Sequence, residues 1–132
     1  MTSPQIASSM MTMPLTLTSI MKHAQQLYPT NQIVSVLMEE PCHRYTYNDA
    51  FKRTAQLAHA LANLDLKPGT RIATLAWNDY RHLELYFGIS CSGFVCHTIN
   101  PRLFPEQIDF IINDAEDQVL FIDPMFVPLI EK

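Results

Sequence analysis

The fold is decided by residues 71–99, which read RIATLAWNDYRHLELYFGISCSGFVCHTI. The segment opens with a nearly continuous apolar run, Arg71–Trp77, which is typical of a strand covered on both faces. An amphipathic stretch over Tyr80–Ser92 follows, and a second apolar run, Phe94–Ile99, completes the unit. A strand, a helix and a strand with short connections predict two parallel strands joined by a right-handed crossover.

The same alternation continues to the end of the chain. We expect a helix over Pro105–Asp114, because proline suits the first helical turn, and a third strand over Val119–Ile122. Asn78 is expected to cap the helix after the first strand, and Asp123-Pro124 to begin a short last helix. The predicted fold class is therefore α/β, built on a partial parallel βαβαβ sheet.

Two further elements are expected before this unit. Pro14–Tyr28 has apolar residues at helical spacing, with Thr16 or Thr18 as its cap. Such an amphipathic helix must bury its apolar stripe, either against its own domain or against a second copy. Gln32–Glu39 and His43–Thr46 are expected to pair as a small antiparallel ribbon.

The strongest predicted helix starts at Thr46. The hydroxyl of Thr46 stands three residues before Asp49, which is close to a capping box. The apolar face of this helix comprises Ala50, Phe51, Thr54, Leu57, Ala58, Leu61 and Leu64. Packing of this face should hold the helix in place, and Lys67-Pro68-Gly69 forms the turn after it.

Composition sets the broad class. The 132 residues are 48% hydrophobic and 17% charged, which is typical of a single globular domain. The net charge is −4 and the nine Lys and Arg residues are scattered, so no basic stripe indicates a nucleic-acid partner. No apolar run has the length of a transmembrane segment.

The sparse cysteines, Cys42, Cys91 and Cys96, favour a reducing cytoplasm over a disulfide framework. We interpret residues 1–13 as a flexible leader and residues 14–132 as one domain. Its helical pattern is still running at Lys132, which we interpret as a truncation.

Sites in open α/β sheets form beyond the carboxyl ends of the strands. The corresponding loops here are Trp77-Asn78, Asn100–Phe104 and Asp123-Pro124. None is rich in glycine, and a phosphate-binding loop usually needs glycines before a helix. We therefore expect no self-contained nucleotide site.

The nucleophile and base candidates that lie close in sequence are Ser90, Cys91, Ser92, Cys96 and His97. No nucleophile-elbow motif surrounds either serine, and the cysteines lack paired metal-ligand spacing. We interpret these residues as helix-end and core positions.

His82 is interpreted as a solvated surface residue, and the acidic cluster of Asp114, Glu116 and Asp117 as a helix-ending feature. The remaining histidines, His23, His43 and His59, have no evident carboxylate or cysteine partner at ligand spacing. We assign no catalytic, cofactor-binding or metal residue in this chain.

One stretch is more specific than composition. Residues 97–108, HTINPRLFPEQI, resemble a segment of the adenylate-forming (AMP-binding) fatty acyl-CoA ligases, in particular the medium- and long-chain branch. Residues 66–73, LKPGTRIA, resemble an earlier element of that family, which usually has Asp where Thr70 stands. The resemblance extends over nearly all of residues 14–132, in family order.

The resemblance implies the fold of the N-terminal portion of an acyl-CoA synthetase and an ATP-dependent, two-step activity. A fatty acid reacts with ATP to give an acyl-adenylate and diphosphate, and coenzyme A then displaces AMP, with Mg²⁺ shielding the phosphates. In the family, the phosphate loop and the catalytic lysine lie further along the chain. The fragment alone is thus expected to be inactive, with Asn100-Pro101-Arg102 serving as scaffold for a neighbouring site.

Two alternatives remain open at this point. The chain could be a stand-alone interaction module, because some relatives pair through their N-terminal regions, and a homodimer is the expected assembly. It could also be a small flavodoxin-like nucleotide-binding domain, which shares the βαβ pattern.

Overall fold

The computed structural model describes residues 9–37 and 42–131. Its elements in chain order are α1 (Leu17–Leu27), β1 (Gln32–Ser35), β2 (His43–Thr46), α2 (Tyr47–Ala62), β3 (Arg71–Leu75), α3 (Tyr80–Cys91), β4 (Val95–Thr98), α4 (Pro105–Asp114), β5 (Val119–Ile122), a 3₁₀ turn (Pro124–Phe126) and α5 (Val127–Ile130).

The three later strands form a parallel sheet in the order β4-β3-β5, and β1 and β2 pair as an antiparallel ribbon. Ala73 of the central strand stands opposite His97 on one side and Leu120 on the other. The predicted α/β class, the parallel sheet and the ribbon are confirmed.

The core lies on both faces of β3, because successive strand residues point to opposite sides. On one face, Ile72 packs with Leu61 of α2 and Ile89 of α3. On the other, Ala73 and Leu75 pack in a cluster that is completed by Ile99, Ile108 and Phe126. Four consecutive β3 residues, 72–75, are fully buried, as the apolar run predicted.

The helices α2 and α3 approach closely at a glycine. A Cβ atom on Gly88 would lie 2.4 Å from Cδ2 of Leu57. A larger residue at this position would therefore displace the Leu57 side chain.

The capping box at the start of α2 is confirmed. The Thr46 N–H donates to Oδ2 of Asp49 over 3.1 Å, and the Asp49 N–H donates to Oγ1 of Thr46 over 3.2 Å. The Thr46 hydroxyl also donates to this carboxylate and lowers the pKa of Asp49. The cap of α1 is Thr16, whose Oγ1 accepts from the Ser19 N–H over 3.3 Å.

Several predicted boundaries were wrong. The cap of α3 is Asp79, not Asn78, because its carboxylate reaches the N–H groups of Arg81 and His82 at 2.8 and 3.1 Å. The strand β3 ends at Leu75, so Trp77 lies in the following loop.

The strand β1 ends at Ser35, and Val36 and Leu37 lie outside it. The rest of its predicted extension, to Glu39, falls on residues 38–41, outside the described residues. Residues 1–8 of the predicted leader and Lys132, where the truncation was inferred, also lie outside them.

The helix α1 begins at Leu17 instead of Pro14, because Thr16 provides its cap. None of its residues is buried, and the expected apolar stripe remains largely in solvent, with Ile20 58% and Leu27 60% exposed. Leu64, which we expected on the inward face of α2, lies beyond the helix end and is half exposed. None of the helices described here is long and apolar enough to cross a membrane.

Candidate functional site

Three loops meet where the parallel strands end, as predicted for this class of sheet. We call residues 76–79, 99–104 and 123–125 the carboxyl edge. Cavities of about 330, 440 and 450 Å³ are lined by its residues. Because ligands bind at this end of a parallel sheet, we take the carboxyl edge as the candidate site.

Trp77 connects the three loops. Its backbone N–H donates to Oδ2 of Asp123 over 2.8 Å, and its indole N–H contacts the thioether of Met125. Its ring packs 5.1 Å from the ring of Phe126, between centroids. The guanidinium carbon of Arg102 lies 5.7 Å from the centroid of the Trp77 ring, within the range of a cation–π contact.

His82 holds the Trp77 loop from behind. It is 5% exposed, so the prediction of a solvated surface residue was wrong. Its Nδ1 lies 3.2 Å from the carbonyl oxygen of Trp77 and its Nε2 lies 2.9 Å from Oγ1 of Thr74. Because a carbonyl oxygen can only accept, the Nδ1 atom carries a proton, which leaves Nε2 of a neutral ring to accept from the Thr74 hydroxyl. This arrangement joins the start of α3 to the end of β3.

The loop after β4 presents Arg102. The side chain of Asn100 accepts from the Arg102 N–H over 3.0 Å, which closes a local turn. Gln107 then accepts from the N–H of Phe104 over 3.1 Å and covers the start of α4. Arg102 is exposed, and within residues 9–37 and 42–131 it forms no ion pair with a carboxylate.

Trp77 separates two cavities of different character. The cavity of about 330 Å³ is lined by polar groups that include Asn100, Arg102 and His82. The neighbouring cavity of about 440 Å³ is walled mainly by apolar side chains: Val36, Leu37, Trp77, Pro124 and Met125. At its rim, Arg81 and Asp79 form an ion pair of 2.8 Å.

A second buried polar group lies between α2 and α3. Arg53 donates to Oε1 of Glu84 over 2.6 Å, although Glu84 is only 7% exposed. Burial, and then the charge of Glu84, raise the pKa of Tyr45 well above its usual range. Tyr80 lies beside them, with the Arg53 guanidinium 5.6 Å from its ring centroid. No local sequence pattern indicated this cluster, because Arg53 and Glu84 are 31 residues apart.

Among the described residues, no side-chain hydrogen bond joins the nucleophile and base candidates that the sequence suggested. Ser92 donates to the carbonyl of Gly88 over 2.6 Å, as expected of a helix-end serine. His97 pairs instead with Asp117, whose Oδ2 lies 2.7 Å from its Nδ1. The Asp117 side chain is 1% exposed, so the carboxylate that we interpreted as a helix-ending feature is a buried partner of His97.

The cysteines are free thiols, and burial raises the pKa of Cys96. Cys91 and Cys96 are half-buried, where we expected core positions. Within the part of the chain that the structure describes, no three His, Cys, Asp or Glu residues are placed to hold a metal ion.

Comparison with known proteins identifies the family. Residues 21–131 match the family described as AMP-binding enzyme. The chain belongs to this family. It is 48% identical to the 3-methylmercaptopropionyl-CoA ligase of Ruegeria lacuscaerulensis over 121 residues. These residues are 92% of this chain and 22% of that protein. It is 44% identical over 123 residues to the medium-chain-fatty-acid–CoA ligase of Ectopseudomonas oleovorans, with coverage of 93% and 22%.

The fold agrees with this assignment. The N-terminal domain of FACL13 from Mycobacterium tuberculosis superimposes with a TM-score of 0.76 at 25% identity, over 86% of this chain and 28% of that one. The resemblance stated from residues 97–108 is therefore confirmed. The chain spans about a fifth of the length of the two CoA ligases.

Proposed function

We propose that this chain supplies part of the N-terminal domain of an ATP-dependent fatty acid–CoA ligase. The reaction converts a fatty acid, ATP and coenzyme A into acyl-CoA, AMP and diphosphate through an acyl-adenylate. The observation that carries the proposal is the 44% identity, over 93% of the chain, to a medium-chain-fatty-acid–CoA ligase.

The carboxyl edge suits a share in such a reaction. Fatty acid, ATP and coenzyme A are all anions, and Arg102 presents an exposed cation where α/β sheets bind ligands. A guanidinium at this position attracts a phosphate group and binds it through two parallel hydrogen bonds. Among residues 9–37 and 42–131, no three His, Cys, Asp or Glu side chains are grouped to hold a metal ion, so we assign Mg²⁺ no step here.

We also propose that residues 1–132 do not catalyse the reaction alone. Ser92 donates to the Gly88 carbonyl and His97 pairs with Asp117, so both side chains are held in structural contacts. The test is ATP–diphosphate exchange with octanoate, measured for this 132-residue chain and for a longer protein that contains it. Exchange by the longer protein only is expected, whereas robust exchange by residues 1–132 would contradict the proposal.

The acid substrate distinguishes two candidates. A fatty acid is the first candidate. The second is 3-methylmercaptopropionate, because the 48% identical relative is named a 3-methylmercaptopropionyl-CoA ligase. Thioester formation by the longer protein should be compared for octanoate, palmitate and 3-methylmercaptopropionate through kcat/KM. The fatty acid proposal requires the highest value with octanoate or palmitate, and a higher value with 3-methylmercaptopropionate selects the second candidate.

The assembly is proposed to be a homodimer that covers α1. The apolar side chains of Leu17, Ile20 and Leu27 are about half exposed or more, which leaves a helix face without a partner in the described monomer. Sedimentation velocity of the protein and of an Ile20→Ser/Leu27→Ser variant tests this. A dimer that becomes monomeric is expected, and an unchanged mass would exclude α1 as the interface.

A further inference from the structure

We propose that Trp77 is a positioning residue that holds Arg102 in place for a phosphate-bearing substrate of the ligase. This inference rests on the proposed function, because it requires a substrate with a phosphate group. It adds a specific role for Trp77, which does not itself touch the reacting atoms.

The first support is the convergence of contacts on Trp77. Its backbone is fixed to Asp123 after β5, and its side chain contacts Met125 and Phe126 from the same loop. Its ring face is occupied by Arg102 from the loop after β4. One side chain in the β3–α3 loop thus sets the distance between all three loops of the carboxyl edge.

The second support is the buried anchor behind the loop. His82 donates to the Trp77 carbonyl and is itself held by the Thr74 hydroxyl of the central strand. Both His82 and Thr74 are at most 5% exposed. The Trp77 loop is consequently tied to the most buried strand of the domain, and it cannot shift without breaking buried hydrogen bonds.

The third support is the state of Arg102. An exposed arginine has many rotamers, and ordering them upon binding reduces the affinity for a ligand. A ring below the guanidinium restricts the side chain while leaving its N–H groups free at the edge to bind an anion. No acidic side chain of the described chain forms an ion pair with Arg102.

The experiment is a double-mutant cycle in the intact ligase that contains this chain. The variants are Trp77→Leu, Arg102→Ala and the double variant, with KM and kcat measured for ATP, coenzyme A and octanoate. Each single variant should raise the KM of ATP or coenzyme A by about 2- to 30-fold, the range expected for a cation–π contact, with kcat changed by less than about twofold. The effects should not add, because both variants remove the same contact.

Trp77→Phe is the conservative variant, since it retains an aromatic face for Arg102. It should keep KM within about threefold of the parent value, because phenylalanine also forms cation–π contacts. The matched control is Arg44→Ala, which removes an exposed arginine from the ribbon, where Arg44 contacts Gln32, and should leave all three KM values unchanged.

A second measurement does not depend on activity. The fluorescence difference between the protein and its Trp77→Phe variant isolates the emission of Trp77. Arg102→Ala should shift that emission, because the guanidinium leaves the ring face, and Arg44→Ala should not. This test also applies if Trp77→Leu fails to fold.

The inference would be overturned if the effects of Trp77→Leu and Arg102→Ala on KM were additive. It would also be overturned if Arg102→Ala left the Trp77 emission unchanged. A parent protein that forms no thioester with any acid would instead overturn the proposed function. The two failures are thus distinguishable, because the fluorescence test reports on the contact in either case.

Discussion

The carboxyl edge and the helix α1 are built in opposite ways. At the carboxyl edge, residues from three loops are held to one another by hydrogen bonds and ring contacts around Trp77. Along α1, no residue is buried, and one side-chain hydrogen bond, between Gln25 and Asn48, joins the helix to α2. The edge is thus fixed by the fold of the chain itself, whereas α1 offers an apolar face that a partner surface could cover.

This contrast indicates where each kind of substitution should act. Changes in the core or in buried pairs should lower the stability of the whole domain. Changes on α1 should leave the stability of the domain nearly unaltered and alter assembly instead.

The largest contrast is between two isoleucines. Ile108 is 1% exposed in the cluster beneath the carboxyl edge, and Ile20 is 58% exposed on α1. Ile108→Ala should lower the free energy of unfolding by about 2–5 kcal/mol, because it leaves a cavity in the core. Ile20→Ala should lower it by less than about 0.5 kcal/mol. Urea denaturation of both variants measures the difference. Equal losses of unfolding free energy would contradict the view that the core, and not α1, determines the stability of the domain.

The second contrast concerns the buried Asp117 carboxylate, which pairs with half-buried His97. Asp117→Ala should lower the free energy of unfolding by about 1.5–3 kcal/mol, which is the range for a hydrogen bond to a charged group. Asp114→Ala is the matched control, because Asp114 is an exposed aspartate three residues away in sequence, and its effect should stay within about 0.5 kcal/mol. Thermal unfolding of both variants provides the comparison. A loss from Asp114→Ala as large as that from Asp117→Ala would mean that burial of the pair is irrelevant.

The two N-caps offer a smaller contrast. Thr46→Ala should lower the stability of the domain by about 1 kcal/mol, since α2 packs into the core. Thr16→Ala should only increase fraying of α1, since no residue of α1 is buried. Hydrogen exchange by mass spectrometry separates the outcomes. Faster hydrogen exchange in α2 and β3 after Thr16→Ala would show that α1 is coupled to the core.

The smallest effect concerns pH. The pKa of Asp49 is lowered in the folded protein by the Thr46 hydroxyl and N–H. Its contribution to stability is therefore complete above the unfolded-state pKa of about 3.9 and is lost as the pH falls through the folded-state pKa. Compared with Asp49→Asn, the parent should lose its stability advantage as the pH falls below the unfolded-state pKa of about 3.9. An advantage that persists at the lower pH would show that the carboxylate charge plays no part.

The sequence predicted most of the fold, because the relevant patterns are local. The apolar run that became β3, the helical spacing of α2 and the Thr46–Asp49 capping box each lie within a few residues. Boundaries were less accurate where two residues could serve the same role. Asn78 and Asp79 can both cap a helix, and only the path of the chain after Leu75 selected Asp79.

The candidate site was only partly predictable. Its position followed from the rule for parallel sheets, but its contacts join residues that are far apart in the sequence. Trp77 meets Arg102 and Asp123, at separations of 25 and 46 residues. His82 gave the impression of a surface residue because its neighbours, Arg81 and Glu84, are charged. His82 is buried against Thr74 of β3, and the helical spacing of α3 gives no information about a residue on a neighbouring strand.

The most direct test of the account is octanoate-dependent ATP–diphosphate exchange by the intact protein, measured beside two double variants. One removes the edge contact, Trp77→Leu/Arg102→Ala, and the other removes apolar groups from α1, Ile20→Ser/Leu27→Ser. We expect exchange by the parent protein and unchanged kinetics in the α1 variant. The edge variant should have a lower kcat/KM for ATP, measured by exchange, or for coenzyme A, measured by thioester formation. Absence of octanoate-dependent exchange, or equal loss in both variants, would contradict the account.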